Sequence, residues 1–187
     1  MSEASAAVTV SIQRLCASLE NGEINRAAFL EQCTRLVTTS VGCSRAGVWV
    51  FRDTARGRTL HCLALHDGVM DRMTRVEDEA GLHVLTYFQT LEHVGYLMAA
   101  DAQTHFATSG FFGDRLQPNG VCSMMAAGFS VNGQLFGAFT CTQVGCRMEW
   151  TRSQLDVLRQ IGHRASLAIA SYEARTALDT RPATLLA

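Results

Sequence analysis

Apolar positions along the chain follow two different periods, and the changes between them divide it into elements. Val8, Ile12, Leu15, Cys16 and Leu19 recur at helical spacing, which predicts an amphipathic helix lying on a core or a partner. Asn21-Gly22 ends it. Asn25 then has the character of an N-cap, with Ile24 and Phe29 as a hydrophobic staple. They open a second helix with Leu30, Cys33, Leu36 and Val37 on one face, closed by Gly42. From Ala46 the pattern becomes that of strands. Gly47 to Phe51 is β-branched and aromatic, a polar Gly-containing turn follows over Arg52 to Arg58, and Thr59 to His66 predicts the second strand of a hairpin.

A charged stretch, Asp71 to Glu79, precedes Leu82, Leu85, Tyr87, Phe88 and Leu91, whose spacing predicts a short helix, and Val94 to Ala99 predicts another strand. Asp101 is placed to cap a short helix over Ala102 to Phe112, which Gly110, Gly113 and Pro118-Asn119-Gly120 divide or end. Val121 to Val131 and Gln134 to Val144 flank Asn132-Gly133, a strong short hairpin signal because a type I′ turn needs positive φ at both central positions. Thr151 and Gln154 form a capping box, with Trp150 and Leu155 as its staple, and a long helix to about Ala174 follows. Its apolar set, Leu155, Leu158, Ile161, Ala165, Leu167, Ile169 and Tyr172, is wide enough to face both a sheet and a second helix. These elements predict an α+β domain: an antiparallel sheet of five to six strands, terminal helices on one face and short helices on the other.

Composition narrows the function classes. The 187 residues are 48% hydrophobic and 18% charged, with a net charge of -1 from sixteen Arg, no Lys and seventeen acids. That length fits one domain with helical extensions. The balance lacks the basic footprint of a nucleic-acid binder, and no apolar run approaches the ~18 residues of a membrane span. The missing Lys fits codon usage in a GC-rich genome. Seven cysteines, an odd number without a Cys-x-x-Cys pair, fit a disulfide framework poorly and indicate a reducing, cytoplasmic setting.

The order of elements and five segments resemble a GAF domain, a PAS-related small-molecule sensor module of bacterial signalling proteins. The segments are Arg45 to Phe51, Tyr96 to Ala102, Gly120 to Met125, Asn132 to Phe139, and Glu149-Trp150-Thr151 leading into the last helix. The resemblance covers about Ala28 to Ser171. It is strongest to GAF sensors found upstream of histidine kinases and diguanylate cyclases, where a Val-Gly turn, here Val144-Gly145, precedes the Arg and Trp that open the last helix. Where such domains usually carry Pro-Ile after the serine-containing strand, this chain has Ala127-Gly128-Phe129. The resemblance implies a pocket between the sheet and the short helices, but no fixed chemistry. Relatives bind cyclic nucleotides, tetrapyrroles, haem or amino-acid-like molecules, and a few are enzymes. The corresponding domain boundaries are an N-terminal dimerisation helix over 1–22, the GAF domain with its long helix over 23–176, and a flexible tail over 177–187.

The chemical candidates are limited. In a regular strand Cys62 and His66 share a face and His61 takes the other, so at most two could meet one metal, and a structural zinc needs four ligands. No metal or cofactor site is expected. Cys122, Cys141 and Cys146 are the candidates for a thiol-based redox sensor or reductase, with Arg147 beside Cys146 as the one local cation that would stabilise a thiolate. No catalytic constellation stands out. The pocket candidates are Tyr87, Phe88, Asp101, His105, Phe106, Ser109, Phe112, Ser123, Met125 and Cys141, with Ser123 and Cys141 as its floor, because ligand pockets combine apolar walls with a few placed polar groups. The expected partners are a small-molecule ligand, a second copy of the chain along the terminal helices, and an output signalling domain or protein.

Overall fold

The computed structural model describes residues 3–55, 57–74, 79–80, 84–131 and 133–179. Two helices, α1 (Glu3–Glu20) and α2 (Arg26–Val41), lead into the hairpin of β1 (Arg45–Thr54) and β2 (Gly57–Asp67). Two-residue strands β3 (Arg72–Met73) and β4 (Glu79–Ala80) both pair with β2. Helix α3 (Leu85–His93), strand β5 (Tyr96–Ala99), the single turn α4 (Ser109–Phe111), the long strands β6 (Val121–Val131) and β7 (Gln134–Val144), and helix α5 (Arg152–Asp179) complete the chain. All described pairings are antiparallel, in the order β3-β2-β1-β7-β6-β5, with β4 also on β2. This is the expected α+β architecture.

The sheet is buried on both faces. On one side α1, α2 and α5 cover Ala46, Val48, Val50, Met125, Ala127, Phe139 and Cys141. Leu155, Leu158, Ile161 and Ala165 of α5 are fully buried there, and each of the three larger side chains contributes about 1.5–3 kcal/mol by leaving water. On the other side α3 and the segment after β5 cover a second core containing Tyr87, Phe88, Leu91, Leu97, Phe111, Leu116 and Met124. The chain returns to the first side through a fixed junction before α5. There the Trp150 Nε1–H donates to the Ala99 carbonyl at 3.2 Å, and the Ser123 hydroxyl donates to the Ala100 carbonyl while accepting from the Met148 amide.

The caps follow the side chains that announced them. Asn25 Oδ1 accepts the Ala28 amide at 2.9 Å, and Gly42 ends α2 in the left-handed region at φ 73°. Thr151 Oγ1 accepts the Gln154 amide while Gln154 Oε1 accepts the Thr151 amide, the reciprocal box that starts α5. Helix α5 extends to Asp179, beyond Ala174 and into the segment expected to be a tail, and 180–187 lie outside the described residues. Asn132 of the hairpin turn and Leu82 of the predicted short helix also lie outside them.

Two elements differ from expectation. No helix spans Ala102 to Phe112. Residues 101–108 form turns in which Asp101 Oδ1 accepts the Gln103 amide and the Thr108 hydroxyl donates to the Ala102 carbonyl, followed by α4, a π-helical turn at Phe112–Leu116 and a 3-10 turn at Gln117–Asn119. Side chains that bond the local backbone in this way compete with helix formation. The strand β2 also carries an extra residue. Val48 pairs with Ala64 but Trp49 pairs with Cys62, leaving Leu63 as a bulge. Alternation therefore restarts there. Cys62 pairs with Trp49 on the second-core side and His66 with Ala46 on the helix side, which corrects the expectation that Cys62 and His66 share a face.

Candidate functional site

A cavity of about 120 Å³ opens between the sheet and the segment that precedes β6. Its walls are Trp49, Leu60 and Leu65 from the first hairpin, Tyr87 from α3, Phe111 and Leu116 from the short turns, and Val121 and Met124 from β6. Thr140 and Thr142 of β7, Arg45 of β1, Arg115 and Asn119 complete it. The absence of a side chain at Gly47 lets the Trp49 indole lie flat enough to donate from Nε1 to Thr140 Oγ1 at 3.1 Å; a Cβ at position 47 would stand 2.7 Å from that nitrogen.

Polar groups divide between the interior and the rim. Tyr87 is only 1% exposed, packs edge-on against Phe88 and Phe111, and its hydroxyl has no hydrogen-bond partner among the described residues. No fully enclosed side-chain oxygen or nitrogen among them lacks a partner, so this hydroxyl is reached from the cavity. Burial pushes its pKa up, which keeps the phenol a donor. At the rim, Arg45 donates from Nε to Asp67 Oδ2 at 2.9 Å and from Nη1 to the solvent-accessible Asn119 carbonyl at 3.1 Å. Asp67 also accepts the Val69 and Met70 amides at 3.0 and 3.1 Å. Burial alone would raise the Asp67 pKa, but the Arg45 guanidinium and these amides outweigh it and hold the carboxyl below its ordinary value.

The sequence candidates separate into four groups. Tyr87 lines the cavity. Phe88 and Phe112 belong to the core behind it, Phe88 with its ring 4.9 Å from that of Phe51. Asp101 binds Arg147 at 2.7 Å, His105 stacks on the exposed Phe106, and Ser109 is exposed. The His105 ring accepts the Ala107 amide at Nδ1, and burial lowers its pKa. Ser123, Met125 and Cys141 lie on the opposite face of the sheet, against the terminal helices, so the cavity floor is Met124, Thr140 and Thr142. For Ser123 and Met125 on β6 the reason is a second bulge. Val121 pairs with Val144 and Ser123 with Gln143, so Cys122 is the extra residue and the face changes between Val121 and Ser123.

Residue composition could not show the parity of Trp49, Thr140 and Thr142, because both faces of these strands are apolar and buried. Arg45 and Asn119 carried no signal of their own. The Gly47-x-Trp49 spacing was the available clue, since a glycine two residues from a large ring on one strand face leaves space beside that ring.

The thiols do not gather at the cavity. Cys141 is fully buried, and burial together with neighbouring Cys43 raises its pKa far from thiolate formation. Cys122 is half-buried and Cys146 exposed; Arg147, the cation expected to activate Cys146, is taken by Asp101. His66 instead ties α2 to the turn after β2. Thr38 Oγ1 lies 2.8 Å from its Nδ1, Asp71 Oδ1 lies 3.1 Å from its Nε2, and Arg35 pairs with the same Asp71 carboxylate. Among the described residues, no three His, Cys, Asp or Glu side chains gather as metal ligands, and no helix is long and apolar enough to cross a membrane.

Comparison with known proteins adds the family. A family model of the GAF domain matches residues 25–169. The fold is similar to that of the phycocyanobilin-bound GAF domain from a cyanobacterial phytochrome, with a TM-score of 0.73 at 13% identity over 94% of this chain and 98% of the other. It is similar to the blue-light absorbing form of the Thermosynechococcus elongatus PixJ GAF domain, with a TM-score of 0.67 at 15% identity over 83% of this chain and 92% of the other. It is also similar to the bacteriophytochrome RpBphP3 from R. palustris, with a TM-score of 0.72 at 12% identity over 93% of this chain but 39% of that longer one. No curated protein matches the chain in sequence.

Proposed function

The chain belongs to the GAF domain family, and from that premise we propose that it is a regulatory sensor whose cavity takes up a small molecule in signal transduction. The observation that carries this reading is the cavity itself, walled by apolar side chains on the sheet face away from the terminal helices and lined by Tyr87, whose hydroxyl has no hydrogen-bond partner among the described residues. Ligand sites combine apolar walls with a few convergent polar groups in this way. The size favours a compact ligand. At about 120 Å³ the space is below the ~300–1,000 Å³ of drug-sized pockets and far from the needs of a tetrapyrrole such as the phycocyanobilin of the similar phytochrome domain.

In this reading the terminal helices carry the output. Helices α1 and α5 pack along each other, with Gln160 donating to Thr9 at 2.6 Å and Arg175 to the Glu20 carbonyl at 3.0 Å, and Val10 and Leu167 remain exposed on them. A second copy covering those positions would give a cytoplasmic homodimer, and a ligand that prefers one cavity conformation would shift the population that an output domain or protein reads.

The test is purification followed by native mass spectrometry, an absorption spectrum and thermal shifts with a panel of metabolites. Stabilisation by a compact compound, with no visible chromophore, is the expected result. A covalently or tightly bound visible absorber, or no stabilisation by any compound, would overturn it. Light scattering tests the dimer: a monomer at micromolar concentration with both terminal helices intact would remove that part of the proposal.

A further inference from the structure

We propose that the cavity selects a small organic monoanion: a carboxylate on one compact ring or branched body that also carries an oxygen acceptor for the Tyr87 hydroxyl. This rests on the reading of the cavity as a ligand site and goes further by naming the ligand class. Three observations lead to it. The first is charge: two arginines, Arg45 and Arg115, line the cavity, and no Asp or Glu is among its lining residues. A guanidinium has five N–H donors, and Arg45 uses two of its nitrogens on Asp67 and Asn119, which leaves Nη2 for a further acceptor. The Asp67 carboxylate on Nε fixes the plane of the group at the rim, so Nη2 offers one directed, charge-assisted contact to a carboxylate there.

The second observation is the phenol of Tyr87, a residue only 1% exposed whose hydroxyl has no hydrogen-bond partner among the described residues. A ligand that fills the cavity displaces water from this hydroxyl and must then offer it an acceptor, so the hydroxyl discriminates between bodies with and without an oxygen. The third is volume. A cavity of ~150 Å³ accepts benzene, so about 120 Å³ with an open mouth accepts one ring or a branched chain of similar bulk while the charged group stays at the rim. Trp49, Phe111 and Met124 supply walls suited to a flat ring. A nucleotide-sized ligand exceeds this space.

Isothermal titration of the full chain with 4-hydroxybenzoate, benzoate and the neutral 4-hydroxybenzyl alcohol tests the class, using toluene as an uncharged filler. 4-Hydroxybenzoate binds most tightly, at least about tenfold better than the alcohol. Arg115→Gln lowers the affinity of both acids by about tenfold or more and leaves the alcohol unchanged. Tyr87→Phe removes the advantage of 4-hydroxybenzoate over benzoate, and circular dichroism verifies that both variants are folded. If the alcohol or toluene binds as well as the acids, or if Arg115→Gln leaves the acids unaffected, the anion class is wrong while the cavity remains a ligand site. If none of the four compounds binds at millimolar concentration, the reading of the cavity as a site for compact ligands fails with it.

Discussion

Replacing Asp67 by Asn probes the scaffold of the cavity rim. The substitution keeps the shape of the side chain and can keep the carbonyl oxygen that receives the Val69 and Met70 amides. It then turns an amide N–H₂ toward Arg45 Nε, which now donates to Asp67 Oδ2 at 2.9 Å. A charge-assisted hydrogen bond contributes about 1.5–3 kcal/mol. The Asp67 side chain is 8% exposed but that of Arg45 is 26% exposed, so part of the guanidinium regains water, and the expected loss is about 1–2 kcal/mol. With a urea slope of about 2 kcal/mol/M, the unfolding midpoint falls by about 0.5–1 M at pH 7. The pH dependence gives an independent check. The folded-state pKa of Asp67 is depressed, so its stabilisation is present above the ordinary carboxylate value of ~3.9 and is lost as pH falls through the lower folded value. The gap between the natural chain and Asp67→Asn therefore narrows on acidification. Equal midpoints at pH 7, or a gap that stays constant down to acid pH, would refute the assignment.

Other substitutions test separate parts of the structure. A Cβ at Gly137 would stand 2.2 Å from the Trp49 carbonyl oxygen and 2.6 Å from Phe129 Cζ, so Gly137→Ala must part β1 from β7, at a cost of about 3 kcal/mol in thermal or urea unfolding. Gly133→Ala meets no atom within 4 Å, and its φ of +79° makes strain its main cost, about 1–2 kcal/mol. Equal effects at the two sites would contradict the packing described. Thr151→Ala removes the hydroxyl that caps α5, lowering stability by about 1 kcal/mol; no change in midpoint would show that the cap is dispensable. In native alkylation followed by mass spectrometry, Cys146 reacts first while Cys33 and Cys141, whose pKa values are raised by burial, stay protected. A Cys141 labelled as fast as Cys146 would restore a redox role at that position.

The parts of the fold that were legible in the sequence are those set by local chemistry. The hairpin strands Val121–Val131 and Gln134–Val144 were readable because Gly133 marks a turn between two long β-rich runs. Asn25, Gly42, Thr151 and Gln154 were readable because a cap uses its own side chain within three or four residues. The cavity was less legible, since its walls depend on which face each strand residue takes. With both faces buried there is no polar alternation to show parity, and the bulges at Leu63 and Cys122 reverse it partway along β2 and β6. Ser123, past the β6 bulge, and Cys141, on a strand with two buried faces, therefore lie away from the expected side, whereas Tyr87, on a helix with one apolar face, lines the cavity. The spacing after Asp101 predicts a helix, but Thr108 and His105 bond their own backbone neighbours, a competition that spacing alone does not reveal.

The bulge at Leu63 also governs how the first hairpin can move. Leu60 and Leu65 are five positions apart, an odd interval that an unbroken strand would send to opposite sides, yet both reach the cavity, while His61 and Ala64 between them face the helices. The two halves of β2 are thus out of phase, each keyed to β1 by its own set of partners. Sliding β2 by one residue would expel Leu60 and Leu65 from the cavity and drive His61 and His66 out of their places on the helix side, so neither half gains from the shift. The cavity wall can part from β1 or stay seated, with no intermediate register in which it settles.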